Sequence, residues 1–171
     1  MQSHGWKAVA SRRDGVIGHA ELVSCGVAPA TIQGWVRRGR LVRLHRGVYA
    51  LERPPETMRG RAIAALLAVG PGAVLSHQTA AAFWRIAAEP HEIHLSMPNA
   101  VRSREGITVH PNARLDPRDV RRKTGLPLTS PSRTLLDLAA TLEADGLRTA
   151  APKPGTSTSP AKPNWSGRSD D

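Results

Sequence analysis

A chain of 171 residues has room for one modest domain or two small ones, and with 4% aromatic residues each core must be aliphatic and small. A single cysteine excludes a disulfide within the chain. The longest apolar run, Ala62 to Val69, is far too short to span a bilayer, so a cytoplasmic protein without an export signal is expected, nucleoid-associated if it binds DNA.

In chain order, Trp6, Val9 and Ala10 share a face of a short helix from about Gly5 to Arg13. A second short helix starts near His19 and carries Leu22, Val23 and Cys25, whose thiol is expected to be a buried small side chain. Gly26-Val27-Ala28 makes a tight turn, and Pro29 suits the first position of a third helix. Ile32, Trp35 and Val36 recur at i, i+3 and i+4 as its apolar stripe, and Gly39 stops it. Three small helices would then enclose a core around Trp35. Opposite the stripe lie Ala30, Gln33, Gly34 and Arg37, flanked by Thr31 and Arg38. Two long polar side chains beside two small residues suit a major groove.

Leu41 to Leu44 and Val48 to Leu51 are apolar-rich runs separated by His45-Arg46-Gly47, which reads as a hairpin with Arg43, His45 and Arg46 at its tip. Helix, short turn, second helix and basic hairpin together spell a winged helix-turn-helix. Such a tip would lie along phosphates or drop an arginine into a narrow minor groove. Residues 1 to 50 hold eight bases and two acids, +6 of the chain's +10, so attraction to phosphate is concentrated there. The DNA-binding set is therefore Thr31, Gln33, Arg37, Arg38, Arg40, Arg43, His45 and Arg46. The competing reading is a solvated basic surface on an ordinary helix and hairpin.

Arg53-Pro54-Pro55 breaks the pattern, which places a winged-helix domain at 1–53 and a second domain at 56–149. Met58 to Val69 reads as a helix capped by Thr57 and ended by Gly70-Pro71-Gly72. Ala73 to Leu75 is extended. Ser76 opens a helix from His77 to about Ile86, with Ala80, Phe83 and Trp84 as core. Glu92 to Met97, Ile107 to His110 and Val120 to Lys123 read as strands of a short antiparallel sheet. Ser130-Pro131 opens a last helix carrying Leu135, Leu136, Leu138, Ala139 and Leu142, expected to cover one face of that sheet. The fold class is thus α+β. Residues 150–171, rich in Pro, Ser, Gly and Thr, read as a disordered tail.

Catalytic patterns are missing. His91 and His94 would face opposite sides of a strand, and no cysteine or carboxylate cluster completes a metal site. His77 and His110 read as surface or capping residues, and Arg133 with Asp137 as a supporting i, i+4 ion pair. No Gly-x-Ser-x-Gly elbow or phosphate-cradling Gly-rich loop occurs. No enzyme activity, metal or cofactor is expected.

The order GVAPATIQGWVRRGRLVRLHRGVYAL, GPGAVLSHQTAAAFW, EIHLSMP, GITVH and GLPLTSPSRTLLDLAA resembles the AbiEi-type antitoxins of type IV toxin-antitoxin systems, over roughly residues 5 to 148. The resemblance implies a winged helix that binds the operon's own promoter as double-stranded DNA. It also implies an α/β antitoxin domain that opposes a nucleotidyltransferase-like toxin without having to touch it. Carried over by position, the DNA contacts would be Gln33, Arg37, Arg38, Arg43 and Arg46, and a second copy on DNA would supply useful specificity. The chain also resembles the front half of larger proteins whose last third is nuclease-like and related to very-short-patch repair endonucleases. The Asp and Glu-x-Lys or Glu-x-Asp residues that would hold Mg²⁺ there have no counterpart after Leu147. A truncated or frameshifted relative of that longer form, acting only as an interaction module, is the alternative.

Overall fold

The computed structural model describes residues 5–99, 102–112 and 115–150. Helix α1 (Gly5–Ser11) buries Trp6 and Ala10, and it stops two residues before Arg13 because Asp14 and Gly15 turn the chain through positive φ. The turn feeds a strand too short to be seen in the sequence, β1 (Val16–Gly18), all of it buried. Helix α2 (His19–Ser24) follows directly, and the Glu21 carboxylate accepts the Gly18 N–H at 2.9 Å and also pairs with Arg13. After the turn comes α3 (Pro29–Arg37), with Pro29 at its start and Gly39 at φ +70° beyond its end. Strands β2 (Leu41–His45) and β3 (Val48–Leu51) form the hairpin, and β1 pairs antiparallel with β3 to give the order β1-β3-β2.

Trp6, Ile17, Leu22, Ile32, Leu41 and Tyr49 form the core of this first unit, with Trp35 and Cys25 only partly buried at its margin. The center of that core is Ile32, fully buried, rather than Trp35.

Helix α4 (Met58–Val69) starts at Thr57, whose hydroxyl accepts the Gly60 N–H at 3.0 Å. From Ala62 onward it is apolar on every side, and the reason is its location. It touches β1, β2 and β3 and also β4 (Val74–Leu75) and β5 (Ile93–Met97). One cluster therefore joins Val16 and Val48 to Ile63, Leu75, Leu95 and Leu128.

The second sheet has five strands in the order β6-β5-β4-β8-β7, with β6 (Ile107–Pro111), β7 (Val120–Lys123) and β8 (Leu126–Thr129). It is mixed: β4 with β5 and β7 with β8 are antiparallel, whereas β5 with β6 and β4 with β8 run parallel. The chain is α+β as read, with a larger sheet than three antiparallel strands. Strand β8 is masked in the sequence by Pro127, tolerated because β4 pairs with β8 at Leu128 and not at the proline.

Helix α5 (His77–Trp84) ends where Arg85 turns left-handed, which leaves Ile86 outside the helix and 45% exposed. Phe83 and Trp84 are half-buried against the core, and the Trp84 Nε1–H donates to the Thr129 carbonyl at 2.8 Å. Helix α6 (Pro131–Ala150) starts at Ser130, whose Oγ accepts the Arg133 N–H at 3.3 Å. It packs on α5 and buries Thr134 and Asp137, while Leu135 and Leu136 stay exposed instead of covering the sheet. The helix is described as far as Ala150, where the expected tail was to begin, and the rest of that tail lies outside the described residues.

Candidate nucleic-acid interface

The apolar stripe of α3 fixes which residues face outward. Ile32 is fully buried and Trp35 and Val36 are half-buried, so Thr31, Gln33 and Arg37 are exposed, as is Arg38 at the C-cap. Gln33 and Arg37 are four apart and share one face. Gly34 is buried rather than open to a groove, because a Cβ there would lie 3.1 Å from the Arg38 guanidinium, which folds back across the helix.

The hairpin is shorter than a projecting wing. Gly18 of β1 pairs with Val48, and the His19 N–H donates to the Gly47 carbonyl at 2.7 Å, so the Arg46-Gly47 turn is held against the start of α2. Arg46 is exposed at that turn. Arg43 lies within β2 opposite Tyr49, also exposed. A β-bulge between Arg43 and His45 separates the two residues. His45 is consequently half-buried against the second unit, in a cleft with Pro54 and Glu105. Burial and the Arg104 charge lower its pKa, with Glu105 opposing. His45 thus leaves the hairpin tip to Arg46. Arg40, just past α3, lines a different cleft beside Trp6 and Trp35.

These arginines stand out by their spacing in the chain rather than by pairing alone, since Arg12, Arg85, Arg102, Arg104, Arg118, Arg121 and Arg122 also form no ion pair among the described residues. Arg13, Arg53, Arg59, Arg61 and Arg133 each meet a carboxylate. Among the described residues, Arg37, Arg38, Arg40, Arg43 and Arg46 form no ion pair. Five uncompensated guanidiniums within ten residues of sequence make a strongly positive surface.

Residues 7–51 match the family of transcriptional regulators described as AbiEi antitoxin. The matched segment covers the helix and hairpin surface, and the rest of the chain lies outside it. No curated protein matches the chain. Among solved structures, the crystal structure of the RV2827C protein from Mycobacterium tuberculosis is 21% identical, with a TM-score of 0.44 over 76% of this chain and 57% of that one. The chain therefore spans little more than half the length of that protein. No described helix is long and apolar enough to cross a membrane.

A second constellation was illegible in the sequence. His77, His94 and His110 come together where α5 starts over β5 and β6: His77 and His110 stack with centroids 3.6 Å apart, and His94 Nδ1 lies 3.0 Å from His110 Nε2. His77 is buried, not a surface residue, and its Nδ1 lies 2.9 Å from Ser76 Oγ. His91 precedes β5 instead of alternating with His94 on it. Around the rings lie buried Ser76, Thr79, Ser96, Thr134 and Asp137. Asp137 accepts the Arg133 Nε–H at 2.8 Å, while its other oxygen and Ser96 Oγ have no partner among the described residues. Burial first, then His110, His94 and Arg133, push the His77 pKa down to about 3. Burial also lowers His94, helped by His110 and opposed by Glu92, and lowers His110, opposed by Asp137. Stacked rings offer faces instead of converging lone pairs, and no group of three described side chains is placed to hold a metal.

Proposed function

We propose that the chain is a DNA-binding antitoxin that represses its own promoter and opposes a nucleotidyltransferase-like toxin. The observation that carries the DNA-binding part is the set of unpaired guanidiniums on α3 and the hairpin, within the segment matched to the AbiEi regulators. On this reading Gln33 and Arg37 read base edges, with Thr31 and Arg38 beside them, which their shared exposed face on α3 supports. Arg43 and Arg46 contact phosphates, because the short hairpin lies back against α2 and suits the backbone better than insertion into a minor groove. Arg40 and His45 take lesser parts, since both face clefts of the protein itself.

On this reading residues 1–53 bind DNA and residues 56–149 carry the antitoxin activity. One α3 offers few base contacts, so two copies occupy the promoter. Opposition to the toxin rests on the family match and does not require direct contact.

The deciding experiment is a mobility-shift titration of the upstream region against random DNA of equal length. Promoter affinity should exceed random affinity by at least about a thousandfold. With three to four phosphates neutralised, the log–log salt slope should be roughly −3. Equal affinity for both DNAs would refute the regulator. Growth rescue on coexpression with a nucleotidyltransferase-like toxin encoded beside this gene tests the antitoxin part, and the lack of such a gene or of rescue would refute it.

A further inference from the structure

Between α1 and the exit of α3 lies a cleft of about 470 Å³, within the range of small-molecule sites. Trp6, Trp35 and Leu41 form its apolar wall, with the two indole centroids 4.9 Å apart and the rings tilted by 33°. Lys7, Arg40 and Glu52 are exposed on its lining. Lys7 Nζ sits 5.8 Å from the Trp6 ring centroid, and neither Lys7 nor Arg40 forms an ion pair among the described residues. Trp6 is 6% exposed, and its Nε1–H is buried with no acceptor among the described residues.

We propose that this cleft is a binding site for a small planar aromatic carboxylate. The indoles and Leu41 pack the ring, and aromatic pairs gain from offset or tilted contact. Lys7 and Arg40 hold the carboxylate by charge-assisted hydrogen bonds. Glu52 is the opposing charge, so it limits affinity for an anion. The site uses the geometry of the first unit alone and does not depend on DNA binding. It adjoins α3 through Trp35, so occupancy reaches the recognition helix directly.

The test uses the full chain without DNA. Indole N–H resonances are followed by NMR during titration with 2-naphthoate, with neutral 2-naphthylmethanol as the matched control. The Trp6 and Trp35 signals should shift saturably, while Trp84, bonded to the Thr129 carbonyl, should not. Lys7→Ala should weaken naphthoate about two- to fivefold and Glu52→Gln should tighten it by a similar factor, both without affecting the alcohol. Non-saturating shifts, equal shifts at Trp84, or equal affinity for the alcohol would each overturn the proposal. Because both substitutions are at exposed positions, neither outcome can be attributed to failure to fold.

Discussion

Acidification should unlock the histidine cluster. His77 is 8% exposed and neutral in the folded protein, held at about 3 by burial and by its neighbors, against 6.5 when exposed in the unfolded chain. A lowered folded pKa means the unfolded state binds the proton first. The stability contribution is therefore complete above pH 6.5 and drains away as pH falls from there toward 3. By about pH 5 the loss from His77 alone is roughly 2 kcal/mol, a large part of a total of about 5–15 kcal/mol. His94 and His110 shift in the same direction and add to it. The assay is urea unfolding followed by circular dichroism at several pH values between 7.5 and 5. His77→Asn is the informative variant, since asparagine tolerates the φ of +50° that the backbone adopts here and carries no titrating group. Its stability should depend less on pH, by about one proton's worth of slope. Identical pH profiles for the two proteins would refute the reasoning.

Arg37→Ala should cost about 1–3 kcal/mol on the promoter and narrow its advantage over random DNA, whereas Arg46→Ala should weaken both alike and flatten the salt slope by about one. Mobility-shift titrations at two salt concentrations check both, and unchanged binding in both variants would sink the docking arrangement. Gly60→Ala ought to gain up to about 1 kcal/mol of helix propensity, yet its Cβ would sit 2.5 Å from Pro55 Cβ and 3.0 Å from Asp14 Cβ. Overpacking of roughly 1–3 kcal/mol should win, so denaturant unfolding should show net destabilisation; a more stable variant would mean that the contact relaxes freely.

The first unit was legible because its helices are amphipathic and its turns carry glycine. Ile32 and Trp35 against Gln33 and Arg37 assign the faces of α3 without any tertiary information. Strand β1 was missed because three buried residues, Val16, Ile17 and Gly18, hold too little pattern to register. In the second unit, alternation misled. Ile93 and Leu95 alternate with His94 and Ser96, yet both faces of this strand are packed, with α4 on one side and the start of α5 on the other. A sheet with both faces packed hides its polar residues inside. The same logic inverted α6, where Thr134 and Asp137 point inward and Leu135 and Leu136 outward, because the interior they meet is itself polar. His45 could not be placed from sequence, since its environment is made by Arg104 and Glu105, some sixty residues away.

Helix α4 gives the molecule a mechanical character. Thr57 Oγ1 donates to Asp14 Oδ2 at 2.5 Å, Arg59 pairs with the same carboxylate and reaches the Arg12 carbonyl, and Gly60 lets the helix close on Pro55. The prolines are thus clamped between two structures that share a core, instead of serving as a hinge. Orientation is transmitted through this joint as through a bracket. If α3 seats in a groove as proposed, the azimuth of the five-stranded sheet about the DNA axis is set as well. Two copies on neighboring sites would then present their second units at an angle dictated by the number of base pairs between them.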